Sequence, residues 1–578
     1  MCGIAGFVNF VPRPQGVLLA RAMSMANALM HRGPDAYGAW ADPEAGFATG
    51  HRRLSIVDLS EAGAQPMVSS DGRWVISYNG EVYNAPEVRA ELEAKGYSFR
   101  SHSDTEIILE ACAEWGVRLA IPRFIGMFAL CLWDRRERRL WLMRDWLGIK
   151  PLYWGRFGDL VIFGSELKAL RAHDGWTPEI DRQAMAVFLR FGYVPAPLSI
   201  YRGVEKLAPG TILEVGPGEV PRIAPFWTLS ETVGRALSSP FRGNDGEAEE
   251  ALHELLGDAV RRRMVADVPI GAFLSGGIDS STIAALMQEA SNRPVRTFSI
   301  GFHEEGYDEA RHAAAVAAHL GTDHTELYVT PDEARNVIPR LPEIYDEPFA
   351  DASQIPTVLV SEMTRRHVTV ALSGDGGDEL WCGYDRYFQA AALRPFDSVP
   401  MPLRRLLAQV LELIPGRAWD TAALAVPARW RPTTSGHKVR RLTELLNADR
   451  ERLYLELLSH WHDAGALLGE REPDTIVTDP ALKRIAGDDM ARLQYIDTLT
   501  YLPDDILCKV DRASMAVALE VRVPMIDHRV VELSWRMPRT MHVRHGKTKW
   551  LLRRLLARYV PDALVDRPKM GFSVPIDR

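Results

Sequence analysis

Cysteine is scarce: Cys2, Cys112, Cys131, Cys382 and Cys508 are the only five in 578 residues. No two stand at the two-residue spacing that zinc sites favour, and the count is odd. Neither a structural zinc nor a disulfide framework is therefore expected, and a reducing compartment fits. Long apolar runs are also missing. No stretch beyond about a dozen residues lacks Asp, Glu, Lys and Arg, against the roughly 20 apolar residues of a membrane span. Positive charge is not in surplus: 68 Lys and Arg face 76 Asp and Glu, a net charge of −8, so no nucleic-acid partner is expected. The opening MCGIAGFVNF has no basic segment and no long apolar core, which argues against a secretory signal and for the cytoplasm. What remains is an ordinary globular composition, 47% hydrophobic and 25% charged, in a chain long enough for two or more domains.

Residues 1 to about 205 read as short strands broken by turns: GIAGFVNF, RWVISYNGEVYN, MFALCLWD, RRLWLMRD and DLVIFGS. Two helices interrupt them, PEVRAELEAKG and DTEIILEACAEWG, each closed by Gly. Strands and helices that do not alternate regularly predict antiparallel sheets in an α+β domain. Turn residues then accumulate in GPGEVPRIAPFW and ALSSPFRGNDGE, which predict a linker. Beyond it the pattern becomes regular, with helix 247–265, strand VPIGAFL, loop SGGIDSS, helix 281–291, strand VRTFSIGF, helix 308–320, strand TELYV, and later strand HVTVAL before SGDGGDE. Such alternation predicts a parallel sheet with glycine-rich turns at the carboxyl ends of its strands. From about 390 onward the chain reads as mainly helical. The expected division is 2–210, a linker 211–245, and 246–578.

Two sets of residues carry chemistry. Removal of Met1 unmasks Cys2, whose free α-amine is suited to act as general base for its own thiol. A cysteine near a chain start is most often a plain buried residue, but this one has company. HRGPD, RLSIVD, YNGEVYN and SDTE each place polar groups at the ends of apolar runs. Arg53 suits a substrate carboxylate, Asp104 a substrate ammonium, and Asn79 with the Gly80 N–H an oxyanion. Binding and hydrolysing free glutamine requires these groups. MCGIAGF with these motifs resembles the glutaminase domain of the class II, N-terminal-nucleophile glutamine amidotransferases. The resemblance implies an αββα sandwich, attack of Cys2 on the glutamine amide with release of ammonia, glutamine contacts from Arg53, Asn79, Glu81 and Asp104, and an oxyanion hole from Asn79 and Gly80.

The second set is SGGIDSS, Ser275–Ser281, between a strand and a helix. Gly276 and Gly277 let backbone close on an anion, and the helix start adds free N–H groups and its dipole. No Lys-Ser/Thr pair follows the glycines, so the loop is not a Walker A and fits pyrophosphate as a leaving group. SGDGGDE, Ser373–Glu379, lies at the end of HVTVAL, and Asp279 and Asp378 are suited to share Mg²⁺ with nucleotide phosphates. Together with DEPFADASQIPT and LPDDILCKVDRASMAVALEVRVPMIDH, these segments resemble the synthetase domain of the glutamine-hydrolysing asparagine synthetases, an α/β ATP-pyrophosphatase fold. The resemblance implies an ATP site of Leu274, Ser275, Gly276, Gly277, Asp279, Ser280, Ile300, Ser373 and Gly374. It implies Lys549 as the charge that stabilises acyl-adenylate formation, with Lys547 as a nearby rival.

The implied reaction uses ATP and Mg²⁺ to activate the side-chain carboxylate of aspartate as an adenylate, which ammonia from glutamine converts to asparagine. The expected partners are thus small molecules, with no membrane and a homodimer as the usual assembly. Asp375 stands where some relatives carry a Glu that contacts substrate or intermediate, and Cys382 fills a position that is more usually Gly, with an expected effect on the neighbouring wall. The chain also stops soon after RPKMGFSVPIDR, where relatives run on with a further helical segment. The same motifs fit amidation of another carboxylate, in sugar or secondary-metabolite chemistry. The regions Asp346–Thr357 and Asp375–Arg386 are where the two readings differ. A non-catalytic sensor is disfavoured by an intact Cys2, Asp279 and Lys549.

Overall fold

The computed structural model describes residues 2–303, 309–393, 399–413, 443, 446, 453–479 and 488–567. The N-terminal half is built on two six-stranded sheets. The first contains β1 (Cys2–Val8), β2 (Ala36–Asp42) and β3 (Phe47–Arg53), with antiparallel pairing that sets Cys2 opposite Arg53. The second contains β4 (Met67–Val68), β5 (Trp74–Val82), β6 (Gly126–Asp134) and β7 (Arg139–Arg144). The first sheet is completed by β8 (Tyr153–Phe157), β9 (Leu160–Gly164) and β10 (Val204–Lys206). Ile4, Phe47, Val75, Cys131 and Trp133 fill the space between the sheets. Helix Gln15–Asn27 covers the outer face of one sheet through Leu18, Ala22 and Met25, and helix Asp104–Trp115 packs on the other. This is the expected αββα sandwich.

The expected linker over 211–245 is corrected by the structure. β11 (Thr211–Val215) pairs with β7, and β12 (Arg222–Pro225) pairs with β11, so the second sheet runs on past residue 210. Helix Leu229–Ser238 then packs against helix His528–Arg536, and Asn244 caps helix Asp245–Arg263 with a reciprocal bond from Glu247. Without β11 the hydrogen-bonding groups along that side of β7 would be bare, which explains why turn-rich sequence is recruited as strand.

The C-terminal half carries a five-stranded parallel sheet in the order β15-β14-β13-β16-β17. Its strands are β13 (Ile270–Phe273), β14 (Arg296–Phe302), β15 (Asp323–Val329), β16 (Val370–Leu372) and β17 (Glu520–Arg522). The chain proceeds outward from β13 to β15, then returns to the other side of β13 for β16. The sheet therefore reverses direction between β13 and β16, the place where open α/β sheets leave a crevice beyond their strand ends. SGGIDSS follows β13 and SGDGGDE follows β16, so both motifs open onto that crevice. The region after 390 is mainly helical among the described residues, apart from β17. The segment 568–578, with most of RPKMGFSVPIDR, lies outside them.

Candidate active sites

At the first site, the β1–β3 pairing brings Cys2 beside Arg53, and the Cys2 N–H donates to Asn79 Oδ1 at 2.9 Å. Asn79 is fully buried and its Nδ2 donor has no partner. An unpaired buried amide N–H is costly, and here it lies next to the candidate nucleophile, as an oxyanion donor would. Gly80 has no room for a side chain, because a Cβ would lie 2.1 Å from Met127 O. Arg53 is pinned through its guanidinium to the carbonyls of Ser60 (2.9 Å) and Asp58. Asp104 accepts from the Tyr78 hydroxyl at 2.7 Å and the Val82 N–H at 2.9 Å. Glu81 lies 3.5 Å from Arg522 of β17, and burial followed by the nearby Asp104 pushes its carboxyl well up. Burial likewise raises the Cys2 thiol. All of the expected glutaminase residues are thus neighbours.

A buried cluster that sequence reading missed ties this site to the other half. Arg32, fully buried, donates to Cys2 O (3.1 Å), to Glu166 (2.7 Å) and to both oxygens of Asp511 (2.8 and 3.1 Å). Asp511 lies on helix Leu507–Met515. Arg512 of that helix also reaches Glu166, at 2.9 Å.

The second site is a cavity of about 680 Å³ at the reversal of the parallel sheet. Of the expected nucleotide residues, Leu274, Ser275, Gly277, Asp279, Ser280, Ile300, Ser373 and Gly374 border it, as do Asp375, Asp378 and Lys549. Gly276 does not form the wall. It has φ +70° and a Cβ there would lie 2.8 Å from Ala313 N, so its part is to let the chain turn. The Ser280 hydroxyl sits 3.1 Å from the Ser275 N–H, closing the loop before helix Ile278–Glu289.

Lys549 lies between two carboxylates, bonded to Asp279 and 2.7 Å from Asp378. Burial alone would lower its ammonium, but those two acids outweigh it and hold it above its ordinary value. Its backbone is left-handed, φ +52°, a conformation costing about 1–3 kcal/mol outside glycine. Lys547 is half exposed and pairs with Asp566 at 2.9 Å, outside the cavity. Between the two lysines, geometry favours Lys549. The donor set also suits Mg²⁺ beside nucleotide phosphates: Asp279 and Asp378 both reach one cation, here the Lys549 ammonium, and Cβ atoms at Gly377 and Gly383 would collide with these carboxylates.

The remaining wall was foreseen in part, through Asp346–Thr357 and Asp375–Arg386, and Lys509 lies outside both segments. This wall holds Asp351, Ser353 and Lys509, with Glu379 and Tyr384 nearby. Glu379 accepts from the Tyr384 hydroxyl at 2.5 Å, and burial, then Asp378, pushes its carboxyl up to about 7. Cys382 does not reshape this wall. Its thiol turns toward Arg539 (2.9 Å) and Gln494 (3.4 Å), and its φ of +55° is the glycine-like conformation that the substituted position demands.

The family models agree with this division. Asparagine synthase matches residues 251–578, and a glutamine amidotransferase domain matches 1–227. The chain belongs to the asparagine synthase family. It is 34% identical over 582 residues to a glutamine-hydrolysing asparagine synthetase of Bacillus subtilis, covering all of this chain and 87% of the relative. A putative glutamine-hydrolysing asparagine synthetase of Mycobacterium tuberculosis is 36% identical over 601 residues, covering all of this chain and 88% of its own. The amidase chry2 of Gibberella zeae is 26% identical, again across the whole chain and 89% of its own length. Membership makes this protein a glutamine-dependent amidotransferase ligase acting on a carboxylate. Among the described residues, no helix is long and apolar enough to cross a membrane.

Proposed function

We propose that the protein converts aspartate to asparagine, taking nitrogen from glutamine and splitting ATP to AMP and pyrophosphate. In the first site the Cys2 sulfur bonds to the glutamine δ-carbon, the C–N bond breaks, and ammonia leaves. Water then releases glutamate from the thioester. Arg53 and Asp104 hold the two charges of glutamine, Glu81 lines the same pocket, and Asn79 with the Gly80 N–H takes the oxyanion.

In the second site a side-chain carboxylate oxygen of aspartate bonds to the α-phosphorus of ATP, and pyrophosphate departs into the Ser275–Ser281 loop. Activation is required because a carboxylate is a poor acyl donor at neutral pH. Ammonia displaces AMP from the resulting acyl-adenylate, with loss of one proton. Ser373, Gly374 and Ile300 border the nucleotide, Lys549 balances charge on the phosphates, and Asp375 faces the acceptor. Asp279 and Asp378 would hold Mg²⁺, which shields phosphate charge when bound. One observation carries the reading. A glycine- and serine-lined anion loop lacking a Walker lysine brings its own Asp279 together with Asp378 and Lys549 at the sheet's reversal point, the arrangement suited to a pyrophosphate leaving group.

The test is a coupled assay with ATP, Mg²⁺ and glutamine, with and without aspartate. Aspartate-dependent release of pyrophosphate and asparagine in equal amounts is expected. Glutamate formation without aspartate-dependent pyrophosphate would contradict the choice of acceptor and favour another carboxylate.

A further inference from the structure

The cavity presents two buried lysines, and only one of them is occupied with the nucleotide end. Lys549 is engaged with Asp279 and Asp378. Lys509, on helix Leu507–Met515, is 7% exposed and lines the same cavity, where its ammonium donates to Asp351 Oδ2 at 2.6 Å. Asp351 is held in turn by the Ser353 N–H (2.6 Å) and hydroxyl (2.7 Å). An ammonium has three donors, and the bond to Asp351 uses one. Burial opposes the charge on Lys509, but Asp351 and Asp505 outweigh it, so the group is cationic across the neutral range. A buried cation fixed by a braced carboxylate and bordering a substrate cavity is preorganised for an anion. Asp375 borders the same cavity, so an acceptor that meets Lys509 also meets a carboxylate.

Resting on the function proposed above, we propose that Lys509 determines acceptor specificity by binding a second carboxylate, the one that is not adenylated. Asp351 positions Lys509, and Asp375 favours an acceptor that also carries an ammonium. The acceptor class is then an amino dicarboxylate, and a monocarboxylate of the same length is rejected because it leaves Lys509 without its anion.

The test is acceptor-dependent ATP–pyrophosphate exchange, which reads activation alone, in the full chain. Aspartate is compared with β-alanine, which keeps the reacting carboxylate and the amine but lacks the second carboxylate. In the wild type, kcat/KM for aspartate is expected to exceed that for β-alanine by about a hundredfold. In Lys509→Met that ratio is expected to fall to within about threefold, while Lys509→Arg keeps most of it. A ratio unchanged in Lys509→Met, or a wild type that does not separate the two acceptors, would overturn the inference. Absence of any aspartate-dependent exchange in a wild type that still hydrolyses glutamine would instead overturn the proposed function, and this inference with it. A structural role for Lys509 alone would lower both acceptors by the same factor, leave the ratio intact, and so count against the inference.

Discussion

Replacing Asp511 by Asn removes one charge from the buried cluster that joins the two halves of the chain. Arg32 holds the Cys2 carbonyl with one nitrogen while its others reach Glu166 and Asp511. Asn keeps a single acceptor, so one bond to the guanidinium is lost along with the negative charge. A hydrogen bond to a charged group contributes about 1.5–3 kcal/mol, which is roughly 10- to 100-fold in rate if it all passes to the placement of Cys2. Glu166 keeps Arg32 from becoming an uncompensated buried cation, so the fold is expected to survive. Asp511 is not on the wall of the nucleotide cavity. Glutamate formation should therefore fall by that factor, while ammonia-dependent pyrophosphate release stays within about twofold of the wild type. A folded variant with unimpaired glutaminase, or one in which both activities fall together, would refute the argument that this cluster serves Cys2.

The remaining predictions concern the separate sites and acid stability. Cys2→Ala should abolish glutamine-dependent synthesis and leave ammonia-dependent synthesis, and loss of both would contradict the division of labour. Asp279→Ala should abolish AMP formation while sparing glutamate release, measured in one reaction mixture by chromatography. His542 is buried, bonds to Ser534 O at 3.1 Å, and burial followed by Arg539 lowers its pKa from 6.5 to about 3. The unfolded chain then binds the proton and the fold does not, so this stability is full above pH 6.5 and is lost as pH falls toward about 3. Between pH 6.5 and 5 the loss is about 2 kcal/mol. The Tm gap between wild type and His542→Gln should accordingly narrow from pH 7 to pH 5, and a constant gap would contradict the assignment.

Both sites were readable in the sequence because each is built from short contiguous motifs on strand ends. NGEV lies along β5, SGGIDSS follows β13 and SGDGGDE follows β16, so local pattern and site coincide. β2 and β3 escaped notice because AYGAWAD and FATGHRR are rich in Ala and Gly and nearly lack β-branched residues; their pairing with β1 makes them strands. β17 is three residues inside a helical region, and only its register on β16 defines it. Glu166 and Asp511 lie 134 and 479 residues from Arg32, and no periodicity links them. Lys509 was hidden for a related reason. It sits in a helical stretch whose polar residues look like a solvated face, and its burial follows from packing against the sheet.

The claim that glutamine nitrogen reaches an activated carboxylate within this one chain is tested most directly by isotope transfer. Glutamine labelled with ¹⁵N in its amide is supplied with ATP, Mg²⁺, aspartate and unlabelled ammonium, and the products are read by mass spectrometry. The account predicts ¹⁵N-asparagine formed in step with pyrophosphate, and unlabelled asparagine alone from Cys2→Ala. Labelled ammonia accumulating in solution with no labelled asparagine, while ATP is left intact, would contradict it.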